Sequence, residues 1–148
     1  MLARRMVTAV LGAFVLVLGA VAASPATAAT GDRPKNVAEV KAGNLVLLHP
    51  DGTVTVAVRV RCDPGWVPAE LSAQLTQGQA SIGGFTIPSV PCDGRWYAVE
   101  FDLSDGSGQL QPGRVTFGFL QFLVTNAVTG DSAGAHDNGA TARIQLAG

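Results

Sequence analysis

The 148-residue chain carries 10 Lys and Arg against 11 Asp and Glu, a formal net charge of −1, with 47% hydrophobic and 14% charged residues. Neither that balance nor the scatter of Arg33, Lys35, Lys41, Arg59, Arg61, Arg95, Arg114 and Arg143 supplies the basic stripe that nucleic acid or an anionic membrane selects. The length suits one domain with a modest core.

Arg4 and Arg5 form a basic head, residues 6–22 an apolar run interrupted only by Thr8 and glycines, and Ser24-Pro25-Ala26-Thr27-Ala28 a small-residue stretch. This pattern predicts a secretory signal peptide over 1–28, cleaved after Ala28, with Ala22 or Ala23 as the second choice, and hence a secreted, extracellular protein. A retained anchor is the alternative; the run is slightly short for a bilayer span, and the mature chain is expected to have none. Losing Arg4 and Arg5 with the signal lowers the net charge from −1 to −3 over 29–148. Residues 29–43 have weak periodicity and read as a short leader or edge strand, ahead of a single domain over 44–148.

The first strong strand is 53–62, where Val54, Val56, Val58, Val60 and Cys62 share one face. The same period recurs in 69–77 (Leu71, Ala73, Leu75), in 97–103 (Tyr97, Val99, Phe101, Leu103) and in 140–146 (Ala140, Ala142, Ile144, Leu146). Residues 44–49, 81–87 and 114–125 join them on β-branched and aromatic content. Asp51-Gly52, Asp93-Gly94, Asp105-Gly106 and Pro112-Gly113 supply turns between apolar runs. About seven short strands with no helical period predict an all-β fold, an antiparallel immunoglobulin-like β-sandwich. The glycine-rich stretch 129–139 is expected to be the most mobile connection.

Segment 114–125 carries apolar groups on both parities: Val115, Phe117, Phe119 and Leu123 on one, Leu120, Phe122 and Val124 on the other. A β-bulge within 118–121 would shift the register, turning Phe117 and Phe119 inward before it and Phe122 and Val124 after it. Otherwise Leu120, Phe122 and Val124 form a docking surface for a partner, an apolar ligand or another copy.

Cys62 and Cys92 are the only cysteines, and an even count in a small exported protein predicts a disulfide. A metal or redox pair lacks support, since neither Cys-x-x-Cys spacing nor a nearby His accompanies them.

Val60-Arg61-Cys62 with Gly65, Leu75-Thr76-Gln77, Cys92-Asp93-Gly94 leading into Trp96 and Val99, and Pro112-Gly113 resemble a family of small secreted actinobacterial immunoglobulin-like domains of unknown function. The resemblance spans most of the mature chain and implies fold and export, not chemistry. A looser likeness is to the secreted apoproteins that carry enediyne chromophores; those have two disulfides where this chain has cysteines for one.

Catalytic candidates are sparse. His49 precedes a turn, His136 adjoins Asp137, and no Gly-x-Ser-x-Gly elbow occurs. Asp131, His136, Asp137 and Asn138 match neither an EF-hand nor a zinc site, so neither metal nor cofactor is expected. Glu100 and Asp102 share an outward face and read as solvated charges rather than a glycosidase pair. Trp66 and Trp96 each stand four residues after a cysteine, and either pack beside the disulfide or form an apolar platform for a sugar or a peptide. The expectation is a secreted, non-catalytic binding module for a protein, sugar or small apolar ligand, with Trp66, Trp96, Leu120, Phe122 and Val124 as the candidate surface. A hydrolase built from dispersed Asp, Glu and His residues and an apolar small-molecule carrier are the alternatives.

Overall fold

Alternation of apolar and polar residues forms strands that must bury one face, and the computed structural model, which describes residues 36–148, shows how these strands combine. The expected signal peptide 1–28 lies outside the described residues. The described residues form nine strands: β1 (Ala38–Leu48), β2 (Val54–Cys62), β3 (Trp66–Gln77), β4 (Ala80–Thr86), β5 (Tyr97–Leu103), β6 (Asp105–Ser107), β7 (Gly113–Asn126), β8 (Ser132–His136) and β9 (Thr141–Leu146). Among the described residues no helix is long and apolar enough to cross a membrane.

The strands form one curled sheet in the order β5-β2-β1-β9-β7-β3-β4-β6, with β8 paired to β7. Its two ends, β5 and β6, are separated in the chain only by Ser104, so the sheet curls back on itself around one core. The pairing is not purely antiparallel as expected: β1 and β9 run parallel, joining Leu45–Leu48 to Arg143–Leu146. That link lets β1 contribute to both halves of the sheet.

β1 also crosses the expected boundary at residue 44, because Ala38–Ala42 already pairs with β2. Its periodicity is weak in the sequence because Gly43, Asn44 and Leu45 stand opposite the single residue Ala57, between the Ala42–Val58 and Val46–Val56 pairs. A Cβ at Gly43 would collide with the Ala57 carbonyl oxygen, so the bulge needs a residue without a side chain there.

A second bulge settles the two-parity problem of β7. Gln74 pairs with Phe119 and Leu75 with Phe117, leaving Gly118 as the extra residue. Val115 and Phe117 point inward before it, and Leu120, Phe122 and Val124 after it, each 1% exposed or less. The expected docking role of Leu120, Phe122 and Val124 is therefore overturned: all three are core. The bulge falls at the start of the expected window, so Phe119 turns to the outer face rather than inward. There its ring meets His136 edge-on, with centroids 6.3 Å apart.

The stretch 129–139 contains β8 and is pinned at both ends. Asn126 Oδ1 accepts from the amides of Val128 and Thr129, Asp137 Oδ2 accepts from the Ala42 amide at 2.8 Å, and Asn138 Oδ1 accepts from the Leu120 amide at 2.9 Å. These bonds replace the free loop that its glycine content suggested.

Phe122→Ser removes a fully buried ring beside Leu71 of β3. We expect a loss of about 3–5 kcal/mol in a chemical denaturation experiment, with no change in oligomeric state while the protein stays folded.

Candidate functional site

The outer face of β5-β2-β1 gathers the most chemistry among the described residues. Outward parity puts Glu39 and Lys41 of β1, Thr55, Ala57, Arg59 and Arg61 of β2, and Ala98, Glu100 and Asp102 of β5 on this face. Register then sets them in rows: Glu39 with Arg61, Lys41 with Arg59 and Ala98, Ala57 with Glu100, and Thr55 with Asp102. Trp96 stands immediately before β5 and joins the face at the second row.

The segment that delivers Trp96 has no regular structure of its own and is held by other means. Cys62 ends β2 and is bonded to Cys92, with Cα atoms 4.6 Å apart. The Gly94 amide donates to the Cys62 carbonyl at 2.8 Å, closing a turn in which Gly94 has φ 83°. Asp93 accepts from the Arg95 amide through Oδ1 at 3.0 Å and from the Tyr97 hydroxyl through Oδ2 at 2.6 Å. The Tyr97 hydroxyl, and after it the Arg95 amide, hold the Asp93 carboxyl below its usual range; the same bond to Asp93 raises the Tyr97 phenol.

Two cations converge on the Trp96 ring, Lys41 Nζ at 4.8 Å and Arg59 Cζ at 5.5 Å from a ring centroid. They are direct cross-strand partners, an arrangement in which like charges repel. The indole quadrupole draws both, by roughly 0.5–1 kcal/mol each at an exposed site. Among the described residues neither cation has a carboxylate within ion-pair distance, whereas Arg61 beside them reaches Glu39 at 3.0 Å and Asp63 at 3.4 Å. The two tryptophans do not form one platform. Trp66 packs against the core, and no ring contact joins it to Trp96.

At the far end of the face His49, Thr55 and Asp102 form a chain of hydrogen bonds. Thr55 Oγ1 lies 2.7 Å from His49 Nε2 and donates to Asp102 Oδ1 at 2.6 Å. A hydroxyl has one proton, so with that proton given to Asp102 the imidazole must donate from Nε2. A nucleophilic hydroxyl needs the opposite polarity, with Nε2 free to accept and the carboxylate on Nδ1. The chain as built clamps the β1–β2 turn to β5.

The remaining sequence candidates are dispersed. The His136 ring meets Phe119, Asp137 and Asn138 bind backbone amides, and Asp131 accepts from the Thr129 hydroxyl at 2.8 Å. No cavity opens among the described residues, and Phe117, Phe122, Leu71, Leu75, Leu103 and Leu120 fill the interior. Lys41 and Arg59 were not singled out from the sequence. The available signal was their outward parity on strands, obscured for Lys41 by its place in the weakly periodic 29–43.

No family model matches the chain, and no curated protein does. Among solved structures it is similar to murine CRIg, at 11% identity and a TM-score of 0.39, covering 75% of this chain and 98% of that one.

Two variants test how the site is held. Replacing Cys62 and Cys92 together by Ala opens a link that spans 30 residues of sequence, and we expect a loss of roughly 3.5 kcal/mol and a melting temperature lower by several degrees. In the same variant the Trp96 indole N–H should lose its distinct chemical shift while that of Trp66, anchored in the core, keeps it. Tyr97→Phe removes the main cause of the Asp93 shift, so an NMR titration should find that carboxyl midpoint raised toward 3.8. Because the folded value is depressed, Asp93 contributes stability that is fully present above the ordinary carboxylate range and lost as pH falls through the folded value; Tyr97→Phe should shrink that acid-dependent part.

Proposed function

We propose that this chain is an exported, non-catalytic binding module of immunoglobulin-like fold that recognises its ligand on the outer face of β5-β2-β1, around Trp96. The single observation that carries the reading is the Trp96 ring flanked by Lys41 and Arg59, two exposed cations held beside an aromatic and matched to no carboxylate among the described residues. A structural charge cluster ordinarily neutralises itself, as Arg61 does here with Glu39 and Asp63. Opposed like charges set on an indole instead leave hydrogen-bond donors and positive charge available to a ligand.

Export is supported by the basic head, apolar run and small-residue stretch of 1–28 and by the disulfide, which persists in oxidising compartments. The immunoglobulin-like reading is supported by strand order. Taking β1, β2, β3, β4, β5, β7 and β9 as strands A, B, C, C′, E, F and G, the path β5-β2-β1 followed by β9-β7-β3-β4 becomes E-B-A and G-F-C-C′. The disulfide departs from that pattern, since it joins the end of B to the approach to E and not B to F.

The hydrolase reading finds one observation in its favour, the His49–Thr55–Asp102 chain, whose polarity opposes nucleophilic use. The carrier reading needs a hollow interior, and the core is filled.

The test is a series of amide-correlation NMR titrations of the purified protein with soluble oligosaccharides and short peptides. We expect saturable shifts centred on the Trp96 indole, Lys41 and Arg59, lost in Trp96→Ala and retained when His49 and His136 are both replaced by Ala. Saturable shifts centred elsewhere, or none with any probe, would overturn the reading. Turnover of an ester or glycoside probe that disappears in Thr55→Ala would replace it with the enzyme.

A further inference from the structure

The charges on the β5-β2-β1 face are ordered along the strands, and the order limits what can lie on it. In the first row the one cation is matched, Arg61 being paired to both Glu39 and Asp63. The second row, Lys41 and Arg59, has no carboxylate within ion-pair distance among the described residues and stands on Trp96. The third row presents Glu100 beside Ala57, and the fourth presents Asp102, which accepts a hydrogen bond from the Thr55 hydroxyl. Successive rows are two residues apart, a step of about 7 Å along a strand. The face therefore offers one focus of positive charge, with acidic acceptors one and two steps away.

A ligand that fits must place an anionic group over Lys41 and Arg59 and uncharged hydrogen-bond donors over Glu100. Ionised carboxylates accept hydrogen bonds and cannot donate them, so hydroxyl or amide groups suit the third row and a second anion does not. A nucleic acid, with a charge on every phosphate, would set anions against Glu100, Asp102 and Glu39, and the chain carries a net negative charge besides. A run of acidic peptide residues has the same defect.

Resting on the binding face proposed above, we infer that the ligand is an acidic polysaccharide in which charged and neutral sugars alternate. The uronate carboxylate of one sugar is taken by the Arg59 guanidinium and the Lys41 ammonium. Hydroxyl groups of the neighbouring neutral sugar donate to Glu100. The Trp96 ring fixes both cations in place, so less side-chain freedom is lost on binding. The absence of a cavity among the described residues accords with a polymer lying across an open sheet rather than a small molecule enclosed by it.

The experiment uses a hyaluronan octasaccharide, in which glucuronate and a neutral N-acetyl sugar alternate, with titration calorimetry and NMR shift mapping on the purified protein. The comparison probes are a chitin hexasaccharide, a polygalacturonate oligosaccharide charged on every sugar, and a hexaglutamate peptide. We expect the alternating glycan to bind at least ten-fold more tightly than each comparison probe, with shifts at Trp96, Lys41 and Arg59 and weakening as salt is raised. Lys41→Ala and Arg59→Ala should each weaken it roughly ten-fold, as expected for loss of a charge-assisted hydrogen bond. Arg59→Lys should recover part of the loss and Glu100→Ala should weaken binding of the alternating glycan. All three positions lie on the outer face, so an unchanged melting temperature verifies folding. Equal or tighter binding of the chitin, polygalacturonate or glutamate probe at Trp96 overturns the inference and leaves the binding face standing. Absence of saturable binding by the alternating glycan overturns the inference whatever the other probes do. Binding whose shifts map away from Trp96 and survive Trp96→Ala overturns both.

Discussion

The covalent tie between Cys62 and Cys92 is the constraint on which the arrangement of the β5-β2-β1 outer face depends. The chain leaves β4 at Thr86 and does not re-enter a strand until Tyr97. Such a span costs conformational entropy at every ordered residue, and backbone ladder bonds do not repay it there. The disulfide instead fastens the span to the end of β2, and the Gly94 amide on the Cys62 carbonyl and the two bonds of Asp93 complete the anchorage. With residue 92 held at the end of β2, Trp96 is delivered against the cross-strand pair of Lys41 and Arg59. The disulfide thus acts through position: it sets where an indole lies relative to two charges that strand register has already placed.

Which face each half of β1 and β7 presents depends on a bulge in each strand. In β1, three residues stand opposite Ala57, so parity is preserved across the irregularity, and Ala38 and Val40 stay on the same face as Val46 and Leu48. In β7, the single extra residue Gly118 inverts parity, which lets two apolar sets of opposite phase face the same core. The contrast follows from the period of two along a strand: an insertion of even length leaves the faces unchanged, and an odd one exchanges them. Had β7 been regular, Leu120, Phe122 and Val124 would have faced outward, and the protein would carry a large apolar surface in place of part of its core.

The polar face is divided between clamps and unmatched groups. Arg61 with Glu39 and Asp63, and Thr55 with His49 and Asp102, tie strand to strand at the two ends of the face and leave few hydrogen-bonding groups idle. Between these clamps Lys41 and Arg59 face the same ring and each other. Their mutual repulsion is a cost to the free protein that a ligand anion would relieve, which is why we propose this pair, and not the larger charge cluster beside it, as the recognition element. Phe85 and Ile87 are exposed elsewhere on the fold, but they carry no comparable polar specificity.

Much of the fold was legible in the sequence. Alternation located β2, β3, β5 and β9, β-branched and aromatic content located the rest of the long strands, and the cysteine count paired Cys62 with Cys92, because strand period and disulfide parity are local or combinatorial properties. The two-phase pattern of β7 announced a bulge, though not that it falls at Gly118, since the position depends on what β3 presents opposite. The short strands β6 and β8 were missed because three to five residues rich in glycine and serine bury too little to show a period. The parallel pairing of β1 with β9 was equally hidden, being a long-range choice that no local segment encodes. Of the site, the sequence by itself determined that Trp96 follows a disulfide-tied turn and that Glu100 and Asp102 share a face; only the tertiary structure decided that Lys41, from one strand, and Arg59, from the next, meet on that tryptophan, because cross-strand register is fixed by how the whole core packs and not by the residues that the register brings together.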